Sequence, residues 1–156
     1  MTDTMTAPTA VPARSRRPTL AEQSTEFRLA VMRVARRLRQ ERADTDISAT
    51  QLAALGWISA EGPIALGRLA ELERVTPPSM NRTVNGLVDA GYATREASPD
   101  DGRKVLLRTT EAGDAIIRET RRRRDAWIAK RYTALTPDER ETLAKATTIL
   151  RRLADQ

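Results

Sequence analysis

Between Thr76 and Gly113 the chain reads TPPSMNRTVNGLVDAGYATREASPDDGRKVLLRTTEAG, and no other stretch restricts the fold as tightly. Thr76 stands where a helix N-cap belongs, and Pro77 occupies the first helical position, where a missing N–H costs nothing. Met80, Val84 and Leu87 recur at spacings of four and three, an inward stripe. Gly91 ends that helix as a left-handed C-cap would. Tyr92 to Ala97 alternates as a strand, SPDDGRK is a run of turn formers, and Val105, Leu106 and Leu107 resume the strand. Thr110 then caps another helix.

The outward face of the first of these helices carries Pro78, Ser79, Asn81, Arg82 and Asn85. Major-groove base edges are read by Arg on guanine and Asn on adenine, while Ser and backbone amides near a helix start hold phosphate. Arg103 and Lys104 fall at or near the hairpin tip, within reach of a minor groove or the phosphate backbone. Taken singly, a polar helix face and a basic turn also describe an ordinary solvated surface.

Around this segment the pattern is helical. Phe27, Val31, Val34, Ala35 and Leu38 recur at helical spacing from Leu20 to about Arg42. Asp44, Asp46 and Ser48 mark a break before a helix with Leu52, Leu55 and Ile58 on one stripe and Trp57 on the other side. A short helix follows from about Ala65 to Glu73, with Leu66, Leu69 and Ala70 inward, and a tight connection leads to Thr76. Beyond Thr110, Ile116, Ile117, Trp127 and Ile128 belong to a long helix. Its run Arg121–Asp125 spreads around the circumference by about 100° per residue, so at least one arginine must face inward or toward a partner. Thr136 and Pro137 start a last helix bearing Leu143, Ala146, Ile149, Leu150 and Leu153. With only 3% aromatic residues, a core of Leu, Ile, Val and Ala suits packed helices better than stacked sheets.

Zero cysteines and zero histidines remove disulfides, thiol redox sensing, Cys/His zinc sites and the commonest general base. Asp100 and Asp101 are adjacent in a turn with no phosphate-cradling loop beside them, so an enzyme is not expected, nor a metal or cofactor. A net charge of +6 favours a polyanionic partner. No apolar run approaches the roughly 18 residues of a membrane span, so a cytoplasmic protein is expected. Residues 1–19 read as a disordered tail whose Arg14, Arg16 and Arg17 are either solvated or an arm on phosphate.

The stretch LAELERVTPPSMNRTVNGLVDAGYATREASPDDGRKVLLRTTEAG resembles the winged helix-turn-helix core of the MarR family of bacterial transcription regulators. The wing pattern of Pro99, Asp101 and Arg103 leading to Thr110 and Gly113 is its most specific part. The resemblance implies a mainly α fold with a small β-hairpin wing. The winged helix-turn-helix would occupy about 48–110, and the dimerisation helices about 20–42 and 111–155, in a single domain over 20–156. It further implies a homodimer on a pseudo-palindromic double-stranded operator, most simply a repressor released by a small aromatic or other organic effector. Pro78, Ser79, Asn81, Arg82 and Asn85 would then be groove or phosphate contacts, and Lys104 a phosphate contact. Arg103 would be the wing-tip minor-groove contact, oriented by Asp101, with Arg95 pairing Asp101. The effector crevice would involve Trp57 with Phe27, Val31 and Ile116. Two positions depart from the family: Ala65 where a Thr or Ser cap is frequent, and Gly86 where a long side chain is frequent. Lacking Cys and His, the chain fits neither the peroxide-sensing nor the zinc-sensing branch. Gly86 leaves open an alternative, a winged-helix module that binds protein without specific DNA binding.

Overall fold

The computed structural model describes residues 16–99 and 104–154. Its elements run α1 Leu20–Gln40, α2 Ala49–Glu61, β1 Ile64–Ala65, α3 Leu66–Leu72, α4 Pro77–Asp89, β2 Ala93–Ala97, β3 Val105–Thr109, α5 Glu111–Tyr132 and α6 Pro137–Ala154. The chain divides into two compact units, residues 1–35 and 36–156. In the first, α1 opens with a reciprocal cap. The Thr19 N–H donates to Glu22 Oε2 at 2.6 Å, and the Glu22 N–H donates back to Thr19 Oγ1 at 3.3 Å. Arg16 completes it, its Nη2 donating to Glu22 Oε1 at 2.7 Å. No residue of α1 is buried.

In the second unit the core is built where the apolar stripes meet. Leu55 and Ile58 of α2, Leu69 of α3, Met80, Val84 and Leu87 of α4 and Leu107 of β3 are all sealed from solvent. Each such side chain contributes about 1.5–3 kcal/mol by leaving water. α2 starts at a capping box in which Ser48 Oγ accepts from the Gln51 N–H and Gln51 Oε1 accepts from the Ser48 N–H. α4 stops as expected at Gly91 (φ 75°). The Gly91 N–H donates to Val88 O and the Tyr92 N–H to Leu87 O, both at 2.9 Å, the paired bonds of a left-handed helix end.

Two details differ from the sequence reading, and a third, at Ala65, agrees with it. Thr76 is the N-cap of α4, but its side chain makes no capping bond. Pro77 and Pro78 fill the first two helical positions, so one of the two N–H groups a cap side chain can satisfy, that of the second position, does not exist. Ala65 caps α3 without a side-chain bond, as an alanine must. The hairpin also has a third partner: the antiparallel sheet has the order β1-β3-β2, with Ile64 opposite Leu107 and Ala93 to Ala97 opposite Thr109 to Val105.

The Thr110–Gly113 pair joins the hairpin to α5. Thr110 Oγ1 accepts from the Gly113 N–H at 3.1 Å and donates to Gly91 O at 2.8 Å. The Thr110 N–H donates to Tyr92 O at 3.1 Å. A Cβ on Gly113 would collide with that same Tyr92 carbonyl, so only glycine allows this approach.

Candidate nucleic-acid interface

Because α4 turns Met80, Val84 and Leu87 inward, its other side is left to solvent. Pro78, Arg82 and Asn85 are exposed there, while Ser79 and Asn81 are half-buried. Arg82 has no hydrogen-bond partner among the described residues, so its guanidinium is uncommitted. Asn81 and Asn85 are not. Arg95 of β2 donates from one nitrogen, Nη2, to Asn81 Oδ1 at 2.8 Å and to Asn85 Oδ1 at 2.7 Å. Strand alternation explains the reach: Arg95 lies two residues from buried Ala93 and so shares the side of β2 that meets α4. Asp101 and Arg103 lie outside the described residues, and so does the expected pairing of Arg95 with Asp101. Lys104 is exposed at the tip end of the hairpin, its carbonyl accepting from the Ser98 N–H at 2.8 Å.

Gly86 has a packing reason. One step beyond Asn85 the helix has turned by about 100°, and a Cβ there would strike the side chain of Gln51, the residue that closes the α2 capping box. The glycine that weighed toward a protein-binding module is therefore a contact between two helices of the head.

The arginine run of α5 divides its work by face. Glu119 accepts from Arg122 and from Arg123, and both bonds hold its carboxyl well below the ordinary value of 4.5, at about 2. Arg123 Nη1 also donates to Arg42 O at 2.9 Å, and Arg124 Nε donates to Leu38 O at 3.2 Å. Beside them Thr120 Oγ1, buried, accepts from the Ala43 N–H at 3.1 Å. These bonds hold the end of α1 and the loop after it against α5.

They also frame a cavity of about 410 Å³ lined by Arg39, Arg42, Arg121 and Arg124, by Thr120, and by an apolar wall of Leu52, Gly56, Trp57 and Ile117 with small alanines. Of the crevice residues expected from sequence, Trp57 lines this cavity. Ile116 packs partly buried against the core, and its neighbour Ile117 takes the place at the wall. Phe27 and Val31 belong to the N-terminal unit, where both are exposed. The four arginines escaped the sequence reading: Arg121 and Arg124, three apart, share a face of α5, but Arg39 lies in the last turn of α1 and Arg42 in the loop beyond it.

The sequence profile of the MarR family matches residues 45–104. An HTH-type transcriptional regulator of Mycobacterium leprae is 38% identical over 136 residues, covering 87% of this chain and 95% of the relative. The chain belongs to the MarR family. Among solved structures, a MarR family protein from Bacillus stearothermophilus aligns with a TM-score of 0.77 at 20% identity, covering 88% of this chain and 96% of its own. FabT of Streptococcus pneumoniae, solved in complex with DNA, aligns with a TM-score of 0.71 at 21% identity, covering 86% and 97%. As a MarR-type transcriptional regulator the chain is not an enzyme. Among its described residues no helix is long and apolar enough to cross a membrane.

Proposed function

We propose that this MarR regulator is a cytoplasmic homodimeric repressor that reads a pseudo-palindromic operator with α4 and releases it on binding a small organic effector. The observation that carries the reading is the solvent face of α4, where the exposed Arg82 guanidinium, two carboxamides and a proline-started first turn stand beside a basic hairpin. Pro78, Ser79, Asn81, Arg82 and Asn85 face the groove or its phosphates, Lys104 a phosphate, and Arg103, oriented by Asp101, the minor groove. The DNA complex of the Streptococcus relative supports a duplex as partner.

Dimerisation is supported by apolar side chains left uncovered on two helices. Phe27 and Met32 of α1 are each 48% exposed, and Ile149 and Leu153 of α6 each 50%. Large exposed apolar patches mark association surfaces, and a two-fold dimer presents two heads to successive half-sites. The effector is supported by the cavity beside Trp57: four cations without a lining carboxylate, above an apolar wall, suit an organic anion.

The experiment is a gel shift of the intergenic DNA next to the gene, at physiological salt, against random duplex. A specific band is expected. Arg82→Ala should lose roughly 1–3 kcal/mol of specific affinity, whereas Lys104→Gln should weaken all sequences alike and reduce the salt slope by about one. Unchanged specificity in Arg82→Ala would remove Arg82 from the reading role.

A further inference from the structure

We infer that Arg95 sets the base preference of α4 by holding Asn81 and Asn85 as hydrogen-bond donors, so that these two positions read guanine rather than adenine. The inference rests on α4 being the helix that enters the groove. Asparagine reads adenine with both ends of its carboxamide, accepting the N6–H at Oδ1 while donating Nδ2–H to N7. Here both Oδ1 atoms face one guanidinium nitrogen, at 2.8 and 2.7 Å. The carboxamide is planar, so an Oδ1 turned to Arg95 leaves the Nδ2 hydrogens pointing away from it.

The lone pair remaining on each oxygen lies beside a cation, which repels an approaching N6–H dipole. What the pair can still offer is donors, and the purine edge that presents only acceptors is guanine's, with O6 beside N7, whereas adenine's N7 stands beside its own N6 donor. Asn81 and Asn85 stand one helical turn apart on the same face, so a single arginine fixes both. Exclusion of water in a protein–DNA contact strengthens such a charge-assisted bond. Arg95 is thus a positioning residue that acts on base choice through two neighbours.

The test is selection of a randomised duplex library by the full-length protein, comparing wild type, Asn85→Ala, Arg95→Met and Arg95→Lys at one salt concentration. Wild type is expected to select a G·C pair at the position whose preference Asn85→Ala erases. Arg95→Met should move that pair toward adenine by roughly tenfold, within the range over which one good bidentate contact discriminates. Arg95→Lys, whose ammonium donates to both oxygens, should keep the wild-type preference, and equal melting temperatures separate lost pairing from lost folding. Wild-type selection of adenine at that pair, or an Arg95→Met consensus identical to wild type, overturns the role of Arg95 alone. No enriched sequence with wild type overturns the groove-reading function together with it.

Discussion

Arg74 holds φ at 53°, and among the described residues no other non-glycine position is left-handed. It stands in the turn between α3 and α4. The Arg74 N–H donates to Glu71 O and the Val75 N–H to Ala70 O, both at 3.0 Å, which ends α3 as a glycine ordinarily would. An L-residue there crowds its Cβ against the backbone at a cost of about 1 kcal/mol, partly offset by the extra freedom a glycine gives the unfolded chain. Arg74→Gly should therefore raise stability by about 0.5 kcal/mol, read as a higher urea midpoint at unchanged slope. A lower midpoint would mean that the arginine side chain itself stabilises the turn. Arg95 illustrates the opposite limit of legibility. Its place on a strand could be read from alternation, but its partners are ten and fourteen residues away on a helix, and no periodicity links a strand to a helix face.

At the scale of elements, α4 was legible because its start, stripe and stop each have a local cause: Pro77 after Thr76, the Met80–Val84–Leu87 spacing, and Gly91. β1 was not, since two residues are too few to show a period of two and pair only because β3 passes beside them. Gly86 was misread for a related reason, because its neighbour Gln51 comes from α2. That contact predicts a non-additive pair. Replacing glycine by alanine inside a helix gains about 1 kcal/mol, but here the added methyl displaces Gln51 from its cap on Ser48. Gly86→Ala alone should change stability little, whereas in a Gln51→Ala background it should gain about 1 kcal/mol. Simple additivity of the two changes in thermal or urea melts would refute the contact. The face of α4 and the turn were visible as candidates, while the arginine-lined cavity needed two helices and a loop brought together.

At the scale of the whole molecule, three carboxylates among the described residues tie stability to pH. Backbone hydrogen bonds from Thr19 and Thr136 lower Glu22 and Glu139, and arginine bonds hold Glu119 at about 2. Each is depressed below 4.5 on folding, so its contribution is complete above that value and is lost as pH falls through the folded one. The melting temperature of Glu119→Gln should lie below wild type at pH 6, and the gap should close as pH falls from 4.5 toward about 2. High salt should narrow it as well, because these charges are near the surface. A gap that stays constant with pH would show that Glu119 acts by packing alone. The joint at Thr110 carries a mechanical consequence. One hydroxyl grips the carbonyl where α4 hands over to the hairpin and also the first turn of α5, and Gly113 rides directly on the next carbonyl. Such a joint ties the first turn of α5 to the end of α4 through one hydroxyl and one glycine, so a roll of α5 about its own axis would pull on α4 as well.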